Sequence, residues 1–245
     1  MITFPFRNRE VGITLAVLDG SFITLALESK IFNDWLLSLD PHFIVCSIQF
    51  QAIDFRGGNQ YASEATLMFL RFLVETENSS YLQVVELRGK SVTLLPILRC
   101  EDNLYVALVK QPRLPTGHLS LAELPAGMVE YGTPKGAAIR ELEEEVGLSL
   151  TESSLMDLSA VVDASEGIYA SPGLINEQVR FYLVEKEIGP EELARLQGKA
   201  MGVISESEKI TVQVVPLEEI LKATTDAKVF IAMALYHYFK SRTSR

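Results

Sequence analysis

Cysteine is nearly absent: only Cys46 and Cys100 occur in 245 residues, each in an apolar run and neither in a Cys-x-x-Cys or other metal-ligand spacing. That excludes a disulfide framework and a thiolate metal site, and leaves two buried free thiols of a reducing compartment as the expectation. No apolar run reaches the ~20 residues that a membrane span needs. The N-terminal stretch MITFPFRNREVG has no apolar core behind a basic start. Neither a membrane protein nor a secreted one is therefore expected, and a cytoplasmic location follows. Excess positive charge is also lacking. A net charge of −10 and a pI near 4.9 argue against electrostatic capture of DNA, RNA or an anionic membrane. A small anionic ligand is a different matter, because a few local arginines and a divalent ion can hold one inside an acidic protein. Internal repeats and low-complexity segments are missing as well.

What is present is ordinary for a globular enzyme, with 48% hydrophobic and 22% charged residues and enough length for one large domain or two small ones. From Val11 to Leu27 two apolar runs flank Asp19-Gly20, which predicts a hairpin. Ile31 to Leu39 has helical spacing, and strand-like runs follow at Phe43–Ile53, Ala65–Val74 and Leu82–Leu87. The first third thus reads as a small β-rich unit carrying one helix, residues 1–90. From Ser91 the rhythm changes, giving a second unit over 91–245. Val92–Leu98 and Leu104–Val109 read as strands around Glu101-Asp102-Asn103, and a short strand ends at Pro125. Thr133-Pro134 is an N-cap followed by proline at the first helical position, so a helix is predicted to Val146, stopped by Gly147. Strands at Ser159–Asp163, Val179–Glu185 and Ile210–Val215, with helices at Pro190–Gln197, Pro216–Ala223 and Asp226–Lys240, complete the pattern. Mixed strands with helices outside them predict an α/β layered sandwich.

The helix after Thr133 carries the chemistry. It ends Arg140-Glu141-Leu142-Glu143-Glu144-Glu145-Val146-Gly147-Leu148. At ~100° per residue, Glu141, Glu144 and Glu145 lie at roughly 0°, −60° and 40°, three carboxylates on one stripe beside an apolar stripe of Ala138, Ile139, Leu142 and Val146. A solvated acidic face is the usual reading of such a run. Here like charges at i, i+4 destabilise the helix, and they gather at the C-terminal end, where the dipole disfavours anions. A bound cation explains the arrangement. Hard divalent ions take oxygen ligands and share their shell with water and substrate phosphates.

The segment Ala126–Leu148 resembles the Nudix box, G-x5-E-x7-R-E-U-x-E-E-x-G-U, with U a bulky apolar residue. Gly127 matches the opening glycine, and Arg140 to Leu148 match the whole second half. The box's first glutamate is absent: Thr133 stands at that position, the stretch to Arg140 is one residue short, and Glu130 is the nearby carboxylate. The family uses that glutamate in support of the metal site or its arginine, so the departure bears on activity. Glu123-Leu124-Pro125-Ala126-Gly127, Gln111-Pro112-Arg113 and Ser171-Pro172-Gly173 with Glu177 are similar, in order, to motifs of ADP-ribose and ADP-sugar diphosphatases. The first third resembles the front domain of plant-type ADP-sugar diphosphatases.

The resemblance implies a Nudix α/β/α sandwich with a mixed sheet behind a small β-rich domain. It implies Mg²⁺, with Mn²⁺ the alternative, held by the Ala126 carbonyl, Glu141, Glu144 and Glu145. Arg140 would orient these carboxylates. Glu206 or Glu208, on the polar loop before Ile210, would serve as general base. Arg113 would grip a phosphate, and Arg88, Ser171, Gly173 and Glu177 would complete the substrate site, with Arg56 a further arginine to consider. A nucleoside-diphosphate-sugar substrate, a homodimer, and no nucleic-acid or membrane partner are the corresponding expectations. The competing readings are a Nudix hydrolase of UDP-sugars or NADH, and a binding module of the same fold without catalysis.

Overall fold

The computed structural model describes residues 2–6, 9–15, 21–56, 66–77, 79, 81–129, 132–203 and 209–243. The chain divides into two compact units, Met1–Gly89 with Ser171–Glu177, and Lys90–Ala170 with Gln178–Arg245.

In the first unit the described strands are β1 (Ile2–Phe6), β2 (Arg9–Leu15), β3 (Val45–Arg56), β4 (Thr66–Thr76) and β5 (Gln83–Leu87), in that order across one sheet. Neighbours pair antiparallel except β2 and β3, which are parallel. A parallel pair needs a crossover, and α1 (Ser21–Glu28) with α2 (Lys30–Ser38) supplies it. This corrects the expected hairpin about Asp19-Gly20, a dipeptide outside the described residues. Ile23 and Ala26 are buried and Leu27 packs beside them, which is helical spacing rather than alternation. Ser29 caps α2 by accepting from the Phe32 N–H at 3.3 Å. Phe32 then seats against Phe50 and Phe72, at 5.6 and 5.8 Å between ring centroids, in the centre of this unit's core.

The second unit is built on β6 (Lys90–Cys100), β7 (Asn103–Arg113), β8 (His118–Glu123), β9 (Ala126–Met128), β10 (Met156–Asp157), β11 (Ile168–Tyr169), β12 (Gln178–Glu187), β13 (Ala200–Met201) and β14 (Ile210–Pro216). The path through the sheet is β10-β12-β6-β7-β14-β13, with β12 parallel to β6. β6 and β7 pair as a hairpin only near its tip, Ile97–Cys100 against Asn103–Val106. Beyond that they part. The segment running from β8 into β9 fills the opening, β8 on the far end of β7 and β9 on the near end of β6.

Side chains alternate faithfully. Val92, Leu94, Ala107, Val109, Tyr182 and Val184 face α3 (Pro134–Glu145) and α4 (Pro190–Leu196). Leu95, Ile97, Val106, Leu108, Phe181 and Leu183 face α5 (Ile220–Ala223) and α6 (Ala227–Thr243) on the other side. Burial on both faces is why β6 reads as a continuous apolar run. The result is an α/β/α sandwich.

Two sequence expectations change here. The strand expected at Ser159–Asp163 is a 3-10 turn over Ala160–Val162, because Asp157 Oδ1 accepts from the Ala160 N–H at 3.0 Å and Asp163 turns left-handed at φ 58°. The helix expected from Pro216 is a 3-10 turn over Leu217–Glu219 followed by α5, since Pro216 itself still belongs to β14.

Candidate active site

The site begins with how α3 is started and stopped. Thr133 Oγ1 accepts from the Gly136 N–H at 2.9 Å, Pro134 opens the helix, and the Thr133 hydroxyl stands 3.4 Å from Glu152 Oε1. A threonine where the box has glutamate is thus explained locally, since its short hydroxyl caps the helix. At the other end Gly147 adopts φ 80° and donates to the carbonyls of Leu142 and Glu143 at 3.1 and 3.0 Å. Ala137, Ala138, Leu142 and Val146 are buried against the sheet. With that face fixed, Glu141 and Glu145 turn toward β9.

Glu145 is buried, and its Oε2 accepts from the Ala126 N–H at 3.0 Å. The Glu141 carboxylate lies across Gly127. A Cβ at residue 127 would meet Glu141 Oε1 at 1.9 Å and Cδ at 2.0 Å, so the glycine is there for a close approach. Glu144 and Arg140 are exposed, and the Glu144 carbonyl accepts from the Gly202 N–H at 3.1 Å. The structure therefore brings Ala126, Glu141 and Glu145 together, with Glu144 and Arg140 on the open side of the same helix.

Arg113 ends β7. Its Nε and Nη2 donate to Glu123 Oε1 and Oε2 at 2.7 and 2.9 Å, a two-point fork on a carboxylate whose side chain is 3% exposed. That hydrogen bond holds the guanidinium above its ordinary pKa against the opposing effect of burial, and the charges of Glu123, Glu145 and Asp226 add to it. Lys228 Nζ stands 3.6 Å from Glu123 Oε2 and 3.1 Å from Asp226 Oδ1. Sequence reasoning missed Glu123 as the holder of Arg113, and missed Asp226 and Lys228 altogether. An acid inside the apolar stretch His118–Leu124 was the available signal for the first.

Arg88, Ser171, Gly173 and Glu177 all belong to the first unit. Arg88 Nε stands 3.6 Å from Glu177 Oε1, and the guanidinium lies 5.6 Å from the Phe69 ring centroid. Asn176 fixes this segment: its Oδ1 accepts from the Arg88 and Gly89 N–H groups at 2.9 and 3.3 Å, and its own N–H donates to the Glu86 carbonyl at 3.1 Å. Ser171 and Gly173 are exposed in the turn that precedes it. Glu206, Glu208, Glu130 and the Arg56 side chain lie outside the described residues.

A Nudix-domain sequence profile matches residues 87–233. The chain belongs to the Nudix family. As a Nudix hydrolase it is 32% identical over 249 residues, 96% of its own length and 79% of the relative's, to "Nudix hydrolase 14, chloroplastic" of Arabidopsis thaliana. It is 34% identical over 141 residues, 57% of this chain and 66% of the relative, to an ADP-ribose pyrophosphatase of Bacillus subtilis. A mouse ADP-sugar pyrophosphatase is 40% identical over 94 residues, 36% of this chain and 38% of that one. A crystal structure titled as an ADP compounds hydrolase shares the fold at a TM-score of 0.53 and 17% identity, covering 83% of this chain and 96% of that one.

Divalent metal chemistry is general in Nudix hydrolases, and the donor set here suits it. Every candidate ligand is an oxygen, and Gly127 leaves room for the Glu141 carboxylate at the β9 backbone. Among the described residues no three acidic, histidine or cysteine side chains converge into a ready-made cage. No described helix is long and apolar enough to cross a membrane.

Proposed function

We propose that this Nudix hydrolase cleaves the diphosphate of an ADP-sugar, ADP-ribose or ADP-glucose, giving AMP and a sugar phosphate with Mg²⁺ as cofactor and Mn²⁺ as the alternative. The observation that carries the reading is the approach of Glu141 and Glu145 to the Ala126-Gly127 backbone, which sets two carboxylates of one helix at the end of a strand. Glu141, Glu145 and the Ala126 carbonyl, with Glu144 in support, would hold the ion. When bound, the ion neutralises charge on the phosphoryl oxygens and makes water more acidic.

The chain's own residues do the rest. Two of the five guanidinium N–H donors of Arg113 are spent on Glu123, and its Nη1 makes no hydrogen bond among the described residues, so that end is available to a phosphate oxygen. Arg140 orients the acidic face of α3. Glu206 or Glu208 takes the proton of the attacking water, whose oxygen forms the new P–O bond as the bridging one breaks. Arg88, Ser171, Gly173 and Glu177 bind the remainder of the substrate. The relatives named for ADP-ribose and ADP-sugars support an ADP-sugar over UDP-sugars and NADH. A homodimer in the cytoplasm, acting on small nucleotides and not on nucleic acid or membranes, belongs to the same reading.

A panel of ADP-ribose, ADP-glucose, UDP-glucose and NADH with Mg²⁺ tests the proposal. AMP release is expected to be fastest with an ADP-sugar, and Glu145→Gln to lower it by roughly 10²-fold or more, since a charged ligand of the ion that meets the reacting phosphate is lost. Comparable release by that variant would remove the metal assignment.

A further inference from the structure

Four charged side chains alternate in sign around the end of β7: Arg113, Glu123, Lys228 and Asp226. Glu123 Oε2 is shared, with Arg113 Nη2 at 2.9 Å and Lys228 Nζ at 3.6 Å. Lys228 Nζ is itself held by Asp226 Oδ1 at 3.1 Å, and the same Oδ1 caps α6 by accepting from the Lys228 N–H at 3.1 Å. The loop that leads into α6 is tied to β8 immediately before Glu123: the Thr224 hydroxyl donates to the Ala122 carbonyl and accepts from the Asp226 N–H at 3.0 Å. The two acids are nearly sealed, at 3% and 9% side-chain exposure, whereas the two cations keep 39% and 24%. Asp226 Oδ2 is buried with no hydrogen-bond partner among the described residues. A buried acceptor left open is costly, and it adds negative potential beside Arg113.

A two-point fork sets the plane of a guanidinium only if the carboxylate cannot turn. Lys228 Nζ, hydrogen-bonded to Asp226, stands in an ion pair 3.6 Å from the Glu123 oxygen that Arg113 Nη2 also uses, so rotation about the Glu123 side chain would disturb both contacts at once. We infer that Lys228 and Asp226 are positioning residues for Arg113, acting through Glu123, and that the start of α6 thereby aims the cation that meets a substrate phosphate. The inference rests on the reading of Arg113 as a phosphate ligand.

The test uses the full chain with Lys228→Met, Lys228→Arg, Arg113→Ala and the double variant Arg113→Ala/Lys228→Met. KM and kcat for ADP-ribose, AMP affinity by calorimetry, and Tm are measured for each. Lys228→Met is expected to raise KM and weaken AMP binding about tenfold with kcat within about twofold, the size of one misaimed charge-assisted contact. Lys228→Arg is expected to restore most of that loss. The double variant is expected to be no worse than Arg113→Ala, because Lys228 has nothing left to aim. Additive effects would mean that Lys228 contacts substrate independently and would overturn the positioning role. A lowered Tm with unchanged KM would reduce the cluster to a structural device and overturn it as well. An unchanged KM in Arg113→Ala would sink the phosphate reading itself, and the positioning role with it.

Discussion

Replacing Gly127 by alanine tests the acidic face of α3 without touching an acid. The residue has no left-handed backbone requirement, so alanine fits the local conformation. Its methyl group would stand 1.9 Å from Glu141 Oε1 and 2.0 Å from Cδ. Ordinary contact begins near 3.4 Å, so the carboxylate must retreat by about 1.5 Å. The obstructing atoms are the far end of a flexible side chain, which means that the fold yields cheaply and the site does not. Mg²⁺ demands oxygen ligands at ~2.0–2.1 Å, and a displacement of ~1 Å in a catalytic group is enough for a ~10²-fold loss. Gly127→Ala is therefore expected to lower kcat/KM for ADP-ribose about 10²-fold, or about 2.7 kcal/mol of transition-state stabilisation. Mn²⁺ affinity, read by paramagnetic resonance on the protein without substrate, should fall alongside it while Tm moves by no more than a few degrees. Wild-type Mn²⁺ affinity and turnover in this variant would refute the reasoning, because the added carbon cannot be accommodated with Glu141 in place. Collapse of Tm would instead show that the close approach serves the fold.

Tyr182 is buried to 1% exposure, its phenolic oxygen has no hydrogen-bond partner among the described residues, and burial pushes its pKa up to about 12, against the lowering influence of Arg180. The folded state keeps the proton longer than the unfolded one, so this stability is complete below pH 10 and is lost as pH rises from there toward 12, at about 1.4 kcal/mol per pH unit. Tyr182→Phe should be neutral or stabilising by about 1 kcal/mol at pH 8 and should flatten that alkaline decline in urea titrations; parallel pH slopes in the two proteins would contradict it. Asn176→Ala removes the acceptor of the Arg88 and Gly89 N–H groups and should cost about 1–2 kcal/mol locally, seen as faster hydrogen exchange at those two amides, with KM raised through the displaced Glu177. Asn176→Asp, which keeps the acceptor, should restore protection, and unchanged exchange in the alanine variant would defeat the assignment.

The second unit was largely legible in the sequence, as were α2 and β3 to β5 of the first, whereas the stretch from Val11 to Leu27 was not, for reasons visible in particular residues. Strand β6 announces itself because it is buried on both faces, and α3 because Thr133, Pro134 and Gly147 are local signals whose meaning does not depend on the rest of the chain. Asp19-Gly20 was also a local signal, yet the parallel pairing of β2 with β3 overruled it, and pairing partners are set by contacts far apart in sequence. Short pieces such as β10 and β11 carry too few residues for a period to show.

The same distinction separates the parts of the candidate site. Glu141 and Glu145 lie four residues apart on one helix, so their convergence follows from helical geometry alone. Glu123 meets Lys228 across more than a hundred positions, and no pattern in either neighbourhood marks the contact. What did mark it, in retrospect, is cost. A carboxylate in the stretch before Leu124 must be neutralised, and the half-exposed Arg113 does so by a fork on both of its oxygens. The second buried acid, Asp226, brings the demand for a second cation, and Lys228 meets it while standing 3.6 Å from Glu123. Here that cation arrives from the last helix, the element least connected in sequence to the box. The acidic face of α3 can be copied as a short segment, whereas the aim of Arg113 depends on β7, β8 and α6 being folded together. Activity should accordingly fail before the metal-binding face does when α6 is loosened, and Lys228→Met is the smallest perturbation that asks for that order.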